Sequence, residues 1–249
     1  ETFDVEALEL YDPAPEPSPE ALQDDAARAE AAGLAVKGVS QVQSAGAGYG
    51  AQQVFMAASN GFEGGYRRTD RGLSCVAIAG TGTGMERDYD GDSRIFQTDL
   101  RSPEDIGTKA GERVLERMGA RKPPTGAYPV LFDERISSAL IGHLLSAISG
   151  TAIARGASWL RDAMGEQVLP KGISLIEDPF CPRVAGSRPF DGEGLPTSRR
   201  TIVDDGMLQG WTLDLATARK LGLTPTGNAA RGIGSNPGPA TWNIALSQG

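Results

Sequence analysis

A chain of 249 residues, 39% of them hydrophobic, carries enough apolar material for one large domain or two ordinary ones. Its formal charge of −8, from 24 Lys and Arg against 32 Asp and Glu, argues against a duplex-binding surface, which needs clustered cations to neutralise phosphates. One histidine, His143, and two cysteines, Cys75 and Cys181, with no Cys-x-x-Cys or His-x-x-x-His pair, exclude a disulfide framework and an ordinary zinc site built from this chain alone.

The 33 glycines and 16 prolines, with only 6% aromatic residues, describe a loop-rich soluble protein. No apolar run approaches the ~20 residues of a membrane span, and no charged start leads into the apolar core of a signal peptide, so a cytoplasmic location is expected. The short basic groups Arg67-Arg68 with Arg71, and Arg199-Arg200, lie beside acidic residues and read as solvated faces.

In chain order, residues 1–17 hold Pro13, Pro15 and Pro17 among acids, the composition of a stiff linker. Ser18-Pro19-Glu20 then supplies a cap, a proline at the first helical position and an early acid; Ala21, Leu22, Ala26 and Ala29 repeat on one face and Gly33 marks a stop. Residues 34–95 turn to short alternating runs broken by glycine, with Ser59-Asn60-Gly61 as a turn, which predicts an antiparallel meander. Ser102-Pro103-Glu104-Asp105 opens a second capped helix in which Ile106, Ala110, Val114 and Met118 recur every four residues up to Gly119. Arg121-Lys122-Pro123-Pro124 separates a middle domain, 18–122, from a second one, 123–249.

The second half is expected to begin with a buried strand at 128–132. A long helix follows from about Glu134, with Ile136, Leu140, His143 or Leu144, and Ala147 at helical spacing. Further helix is predicted over 151–164 and a strand over 172–176. Residues 202–208 form a hairpin around Asp205-Gly206, which favours the positive backbone angles of a tight turn, and Leu215 to Leu221 form a helix stopped by Gly222. Strands and helices come in blocks without a βαβ rhythm, so the fold class is α+β: mostly antiparallel sheets with packed helices, in two domains.

Several constellations have plain readings. Asp88-Tyr89-Asp90-Gly91-Asp92 mimics the start of a calcium loop, but its glycine is at the fourth position rather than the sixth; it reads as a solvated turn. Gly80-Thr81-Gly82-Thr83-Gly84 lacks the following helix and Lys-Ser/Thr of a phosphate loop and reads as a flexible connection. His143 has no Gly-x-Ser-x-Gly elbow to serve and is expected in or near the core. Glu177, Asp178, Asp191 and Glu193 lie among Pro and Gly and suit caps and turns. The loop 186–200, centred on Phe190 with Asp191 and Glu193 beside it, is long enough for a contact with a partner or peptide.

Nine blocks carry a resemblance to one family. They begin with the Pro-rich stretch 10–19, Ser59-Asn60-Gly61-Phe62 with Tyr66-Arg67, Gly84-Met85-Glu86-Arg87-Asp88-Tyr89 and Gly126-Ala127-Tyr128-Pro129-Val130-Leu131-Phe132-Asp133. Leu145-Ser146-Ala147-Ile148-Ser149-Gly150, Gly165-Glu166-Gln167-Val168, Ile176-Glu177-Asp178-Pro179, Pro189-Phe190-Asp191-Gly192-Glu193-Gly194 and Ala218-Arg219-Lys220-Leu221-Gly222 follow in the same order. In this order they resemble the PmbA/TldD family of metallopeptidases, and within it the PmbA branch, also called TldE, rather than the TldD branch with its His-Glu-x-x-x-His zinc helix. The resemblance covers the central part of a family member, so the family's N-terminal domain and distal C-terminal region are expected to be absent from this chain.

Aligning the two branches sets the first histidine of the motif on Ser146, its glutamate on Ala147 and its second histidine on Thr151. The resemblance therefore implies a non-catalytic subunit with no cofactor of its own, paired with a TldD-like catalytic subunit that holds the zinc, the complex acting on peptide substrates in maturation and proteolysis. An enzyme active in its own right is one alternative, and a gyrase-linked binding protein is another, since family members carry the label modulator of DNA gyrase. Neither direct nucleic-acid nor membrane binding is expected, and the surface meant for the partner could drive a homodimer in isolation.

Overall fold

Ser18 opens the first helix as its sequence predicts: its Oγ accepts the Ala21 N–H at 3.2 Å, and α1 runs over Pro19–Ala35. The structure, a computed structural model, describes residues 4–247; the first three residues of the expected linker and the last two of the chain lie outside the described residues. The chain forms two compact units, one of Leu10–Val54 and Arg67–Ala127, the other of Glu1–Glu9, Phe55–Tyr66 and Tyr128–Gly249.

After α1 come three long strands, β1 (Val39–Ala57), β2 (Glu63–Ala79) and β3 (Glu86–Arg94), forming one sheet in that order. β2 and β3 pair antiparallel from Arg71 opposite Arg94 to Ala79 opposite Glu86. Alternation along β2 turns Leu73, Cys75, Ala77 and Ala79 to one face, where they meet Ala29 of α1 and Ile106, Ala110 and Val114 of α2 (Pro103–Glu116). The Ser102 Oγ caps α2 by accepting the Asp105 N–H at 3.1 Å. The two helices approach backbone to backbone: a Cβ on Gly107 would overlap the Ala29 carbonyl oxygen. Met118 lies beyond α2 and is 39% exposed, so the predicted apolar stripe ends one turn early.

Two polar readings are corrected in this unit. Asp88 and Asp90 do not sit in a solvated turn; they are the inward residues of β3, each 4% exposed. Asp90 accepts hydrogen bonds from Arg101 and Arg113, and Asp88 pairs with Arg117 at 3.5 Å, so arginines in and after α2 and in the loop before it compensate these buried charges. Arg71 is likewise no solvated residue: it is 5% exposed and donates to Asp25 at 3.1 Å.

The other unit is built on a four-stranded sheet in the order β6 (Met207–Leu208), β5 (Arg200–Asp204), β4 (Leu175–Glu177), β9 (Ile244–Leu246), with every pairing antiparallel. The turn between β5 and β6 has Asp205 at φ 46° and Gly206 at φ 83°, the conformation its Asp-Gly pair predicts. Leu175, Ile202, Val203 and Leu208 form a core with Leu144, Ala147, Ile148 and Leu160. Helix α5 (Leu215–Leu221) begins at an Asp214 and Thr217 capping box and ends at Gly222 in the left-handed conformation. A two-stranded ladder, β7 (Ala229–Ala230) with β8 (Gly238–Pro239), completes the described sheets. The architecture is mixed α+β with antiparallel sheets, as the block pattern predicts.

Three expectations fail in this unit. Residues 128–132 form no strand, and Tyr128, Val130, Leu131 and Phe132 are exposed, Leu131 by 98%; an apolar run specifies a buried strand only where a neighbouring strand is present to pair with it. Helix α3 (Glu134–Ala147) does form, but Ile136 and Leu140 are 56% and 52% exposed, so only its C-terminal end enters the core. The helix predicted over 151–164 shrinks to α4 (Gly150–Ala154), ended by Gly156 at φ 70°. Among the described residues no helix is long and apolar enough to cross a membrane.

Candidate functional site

The joint between α3 and α4 gathers the positions singled out by the sequence. Backbone bonds pin it: Gly150 N–H donates to the Thr212 carbonyl at 2.8 Å and Thr212 N–H donates to the Ile148 carbonyl at 3.1 Å. Glycine is required there, since a Cβ on Gly150 would meet Thr217 Oγ1 at 2.5 Å and Leu213 Cδ2 at 2.8 Å. The Ser158 hydroxyl closes the end of α3 by donating to the Ala147 carbonyl at 2.6 Å.

Beside this joint is a cavity of about 460 Å³. Ser146 and Thr151, on different helices, both line it, whereas Ala147 turns into the core and is 7% exposed. The Ser146 hydroxyl donates back to the Gly142 carbonyl at 2.8 Å, as serines in helices commonly do. His143 is exposed rather than placed in the core, and it is not among the residues lining the cavity.

Zinc does not fit this donor set. A catalytic zinc needs about three ligands drawn from histidine, cysteine and carboxylate, plus a carboxylate to take a proton from its water. Ser146 and Thr151 offer alcohols that keep their protons near neutral pH, and the position between them is a buried methyl group. Among the described residues, no group of three or more His, Cys, Asp or Glu side chains is placed to hold a metal ion.

The cavity wall is held by a network that sequence reasoning missed. Glu177 has no exposed surface; its carboxylate accepts Arg200 Nε at 2.5 Å, Asn228 Nδ2 at 2.9 Å and the Trp242 N–H at 2.5 Å. The Arg200 guanidinium then donates to the Trp211 carbonyl at 3.0 Å and to Thr212 Oγ1, in the wall, at 2.7 Å. Arg200 is therefore no solvated residue and Glu177 no simple turn acid; both were obscured because a charged side chain on a short strand looks exposed until its partner is known. Arg199, beside it, is 59% exposed and pairs with Asp178 at 3.3 Å.

The loop 186–200 packs against other segments of its own unit. Phe190 is 5% exposed and makes edge contacts with Phe62 and Tyr66, at ring-centre distances of 4.9 and 5.5 Å. Asp191, 2% exposed, accepts the N–H groups of Glu193, Leu195 and Ala229, each at 2.9 Å, and so works as a turn acid. Glu193 is half-buried and accepts the Leu215 N–H at 2.8 Å. Burial raises its carboxyl above the ordinary range; the Leu215 bond opposes this, and Asp214 and Asp191 add to it.

Comparison with known proteins agrees with the blocks read from the sequence. Residues 12–118 match the PmbA/TldA metallopeptidase central domain and residues 125–249 the PmbA/TldA metallopeptidase C-terminal domain. The Metalloprotease PmbA of Escherichia coli O157:H7 is 39% identical over 246 residues, covering 98% of this chain and 52% of that protein. A Haemophilus influenzae Metalloprotease PmbA homolog is 37% identical over 172 residues, covering 69% of this chain and 38% of the relative. Among solved structures, a Thermotoga maritima protein whose name links it to modulation of a DNA gyrase superposes with a TM-score of 0.86 at 27% identity, over 97% of this chain and 55% of that one. TldE from Thermococcus kodakarensis shares the fold, with a TM-score of 0.76 at 21% identity over 96% of this chain and 55% of that one. The chain spans about half the length, or less, of the curated relatives it matches. With both of its halves matched by domains of one family, the chain belongs to the PmbA/TldD metallopeptidases.

Proposed function

We propose that this chain is part of a PmbA/TldE-like subunit that cleaves no peptide itself and pairs with a TldD-like zinc subunit in peptide maturation and proteolysis. The reading is supported by the donor set at the α3 and α4 joint: two alcohols and a buried methyl group stand at the positions that the resemblance assigns to the zinc ligands and the base. On this reading the metal and the cleavage belong to the partner, and this chain supplies the paired surface and one wall of the substrate chamber. The similarity of part of the chain to a Haemophilus influenzae Metalloprotease TldD homolog, 28% identical over 127 residues, fits two branches built on one scaffold.

The test is cleavage of an unstructured peptide by the full-length protein, alone and after co-expression with a TldD-like subunit. Cleavage that appears only with the partner, together with co-purification of the two, supports the proposal. Cleavage by the isolated protein overturns it.

A further inference from the structure

The cavity beside Ser146 lacks the means to hold zinc, but its wall is rich in hydrogen-bond donors. Thr212 is 2% exposed; its oxygen accepts from Arg200, and its hydroxyl hydrogen finds no acceptor among the described residues. Ser149, Thr151 and Thr241 also line the cavity, and their hydroxyls make no hydrogen bond among the described residues, Ser149 giving its helix no side-chain cap. Arg155, an exposed residue at the cavity, adds a guanidinium with neither ion pair nor hydrogen bond among the described residues. No Asp or Glu lines the cavity, in a chain with eight more acidic than basic residues.

These features converge on one ligand chemistry. A buried hydroxyl that accepts from an arginine has its remaining capacity as a donor, and several such donors around a cation are complementary to an oxyanion rather than to a metal ion or an amine. The Thr212 oxygen is held by the Glu177 and Arg200 network, so the residue is in place before any ligand arrives. A volume of about 460 Å³ accommodates one or two amino-acid residues.

We propose that this cavity binds a carboxylate of a short peptide, with Arg155 as the charged anchor and Thr212 as the fixed donor. The site would hold one end of a substrate while chemistry occurs elsewhere. The inference rests on the peptide-processing reading, yet it needs no metal and no cleavage.

The experiment is calorimetric titration of the full-length protein, pretreated with chelator, with three probes. These are Ala-Ala-Ala, the same tripeptide as its C-terminal amide, and a blocked peptide whose only carboxylate is a Glu side chain; inorganic phosphate serves as a competitor. Binding of the free acid about tenfold or more tighter than the amide, lost on Arg155→Ala and partly kept on Arg155→Lys, supports the proposal with a terminal carboxylate as ligand. The same pattern for the Glu peptide supports it with a side-chain carboxylate. Equal binding of acid and amide, binding of phosphate alone, or binding unaffected by Arg155→Ala overturns it. Because the protein is chelated and nothing is cleaved, failure here leaves the non-catalytic reading standing. Zinc or cleavage in the isolated protein would overturn that reading without touching the Arg155 result.

Discussion

Glu177 and Arg200 form a buried ion pair, and the same guanidinium reaches Thr212 in the cavity wall. Pairing of this kind makes the two residues sensitive to loss of either one, because the survivor is left charged in a poorly solvated place. We expect Glu177→Gln and Arg200→Ala each to lower stability by about 3–5 kcal/mol in urea unfolding, and the double variant to lose much less than the sum of the two. Additive losses would mean that the pair is not coupled.

Gly107 defines the closest approach of α1 and α2. A methyl group there must displace the Ala29 carbonyl, since its carbon would fall far inside van der Waals distance of that oxygen. Gly107→Ala should therefore destabilise the protein by roughly 1–3 kcal/mol despite the better helix propensity of alanine. A variant as stable as the parent in urea would contradict the packing described.

Glu193 gives a pH dependence of definite sign. Its carboxyl is raised in the folded state, mainly by burial, so the folded chain holds the proton more tightly than the unfolded chain. The associated stability is fully present below the unfolded value of 4.5 and is lost as pH rises through the higher folded value. Glu193→Gln keeps an acceptor for the Leu215 N–H and removes the charge facing Asp191 and Asp214. The variant should melt at a higher temperature than the parent at neutral pH, and the difference should close on acidification below that value. A difference that widens in acid would reverse the assignment.

The two free cysteines should differ in reactivity. Burial raises both thiols, but Cys75 is completely buried on β2 against α1, whereas Cys181 is only partly covered and so reachable. A thiol reagent should label Cys181 in the native protein and Cys75 only at the rate of unfolding, as read by mass spectrometry. Rapid native labelling of Cys75 would show that the core around it opens.

Much of this fold was legible in the sequence because its signals are local. Ser18 and Ser102 cap helices, Asp205-Gly206 turns a hairpin and Gly222 ends α5, each through a preference of one or two residues. What failed depended on partners distant in sequence. The 128–132 run has a strand's composition without a strand beside it, and Asp88, Asp90, Arg71 and Arg200 look solvated until their counter-charges are placed. At the candidate site, Ser146, Ala147 and Thr151 stood out only through the resemblance to a zinc motif. Arg155, Thr212 and Thr241 carried no signal, because isolated hydroxyls and one arginine acquire meaning only when the fold brings them to one cavity.

Whether the α3 and α4 joint is a metal site or a vacated one is decided by the zinc content of the isolated full-length protein, measured by elemental analysis after expression without a TldD-like subunit. If Ser146, Ala147 and Thr151 stand in place of the ligands and the base, as we propose, the protein holds far less than one zinc per chain and gains none on adding zinc followed by gel filtration. One tightly held zinc per chain would contradict the non-catalytic reading and place the ligands elsewhere in the protein.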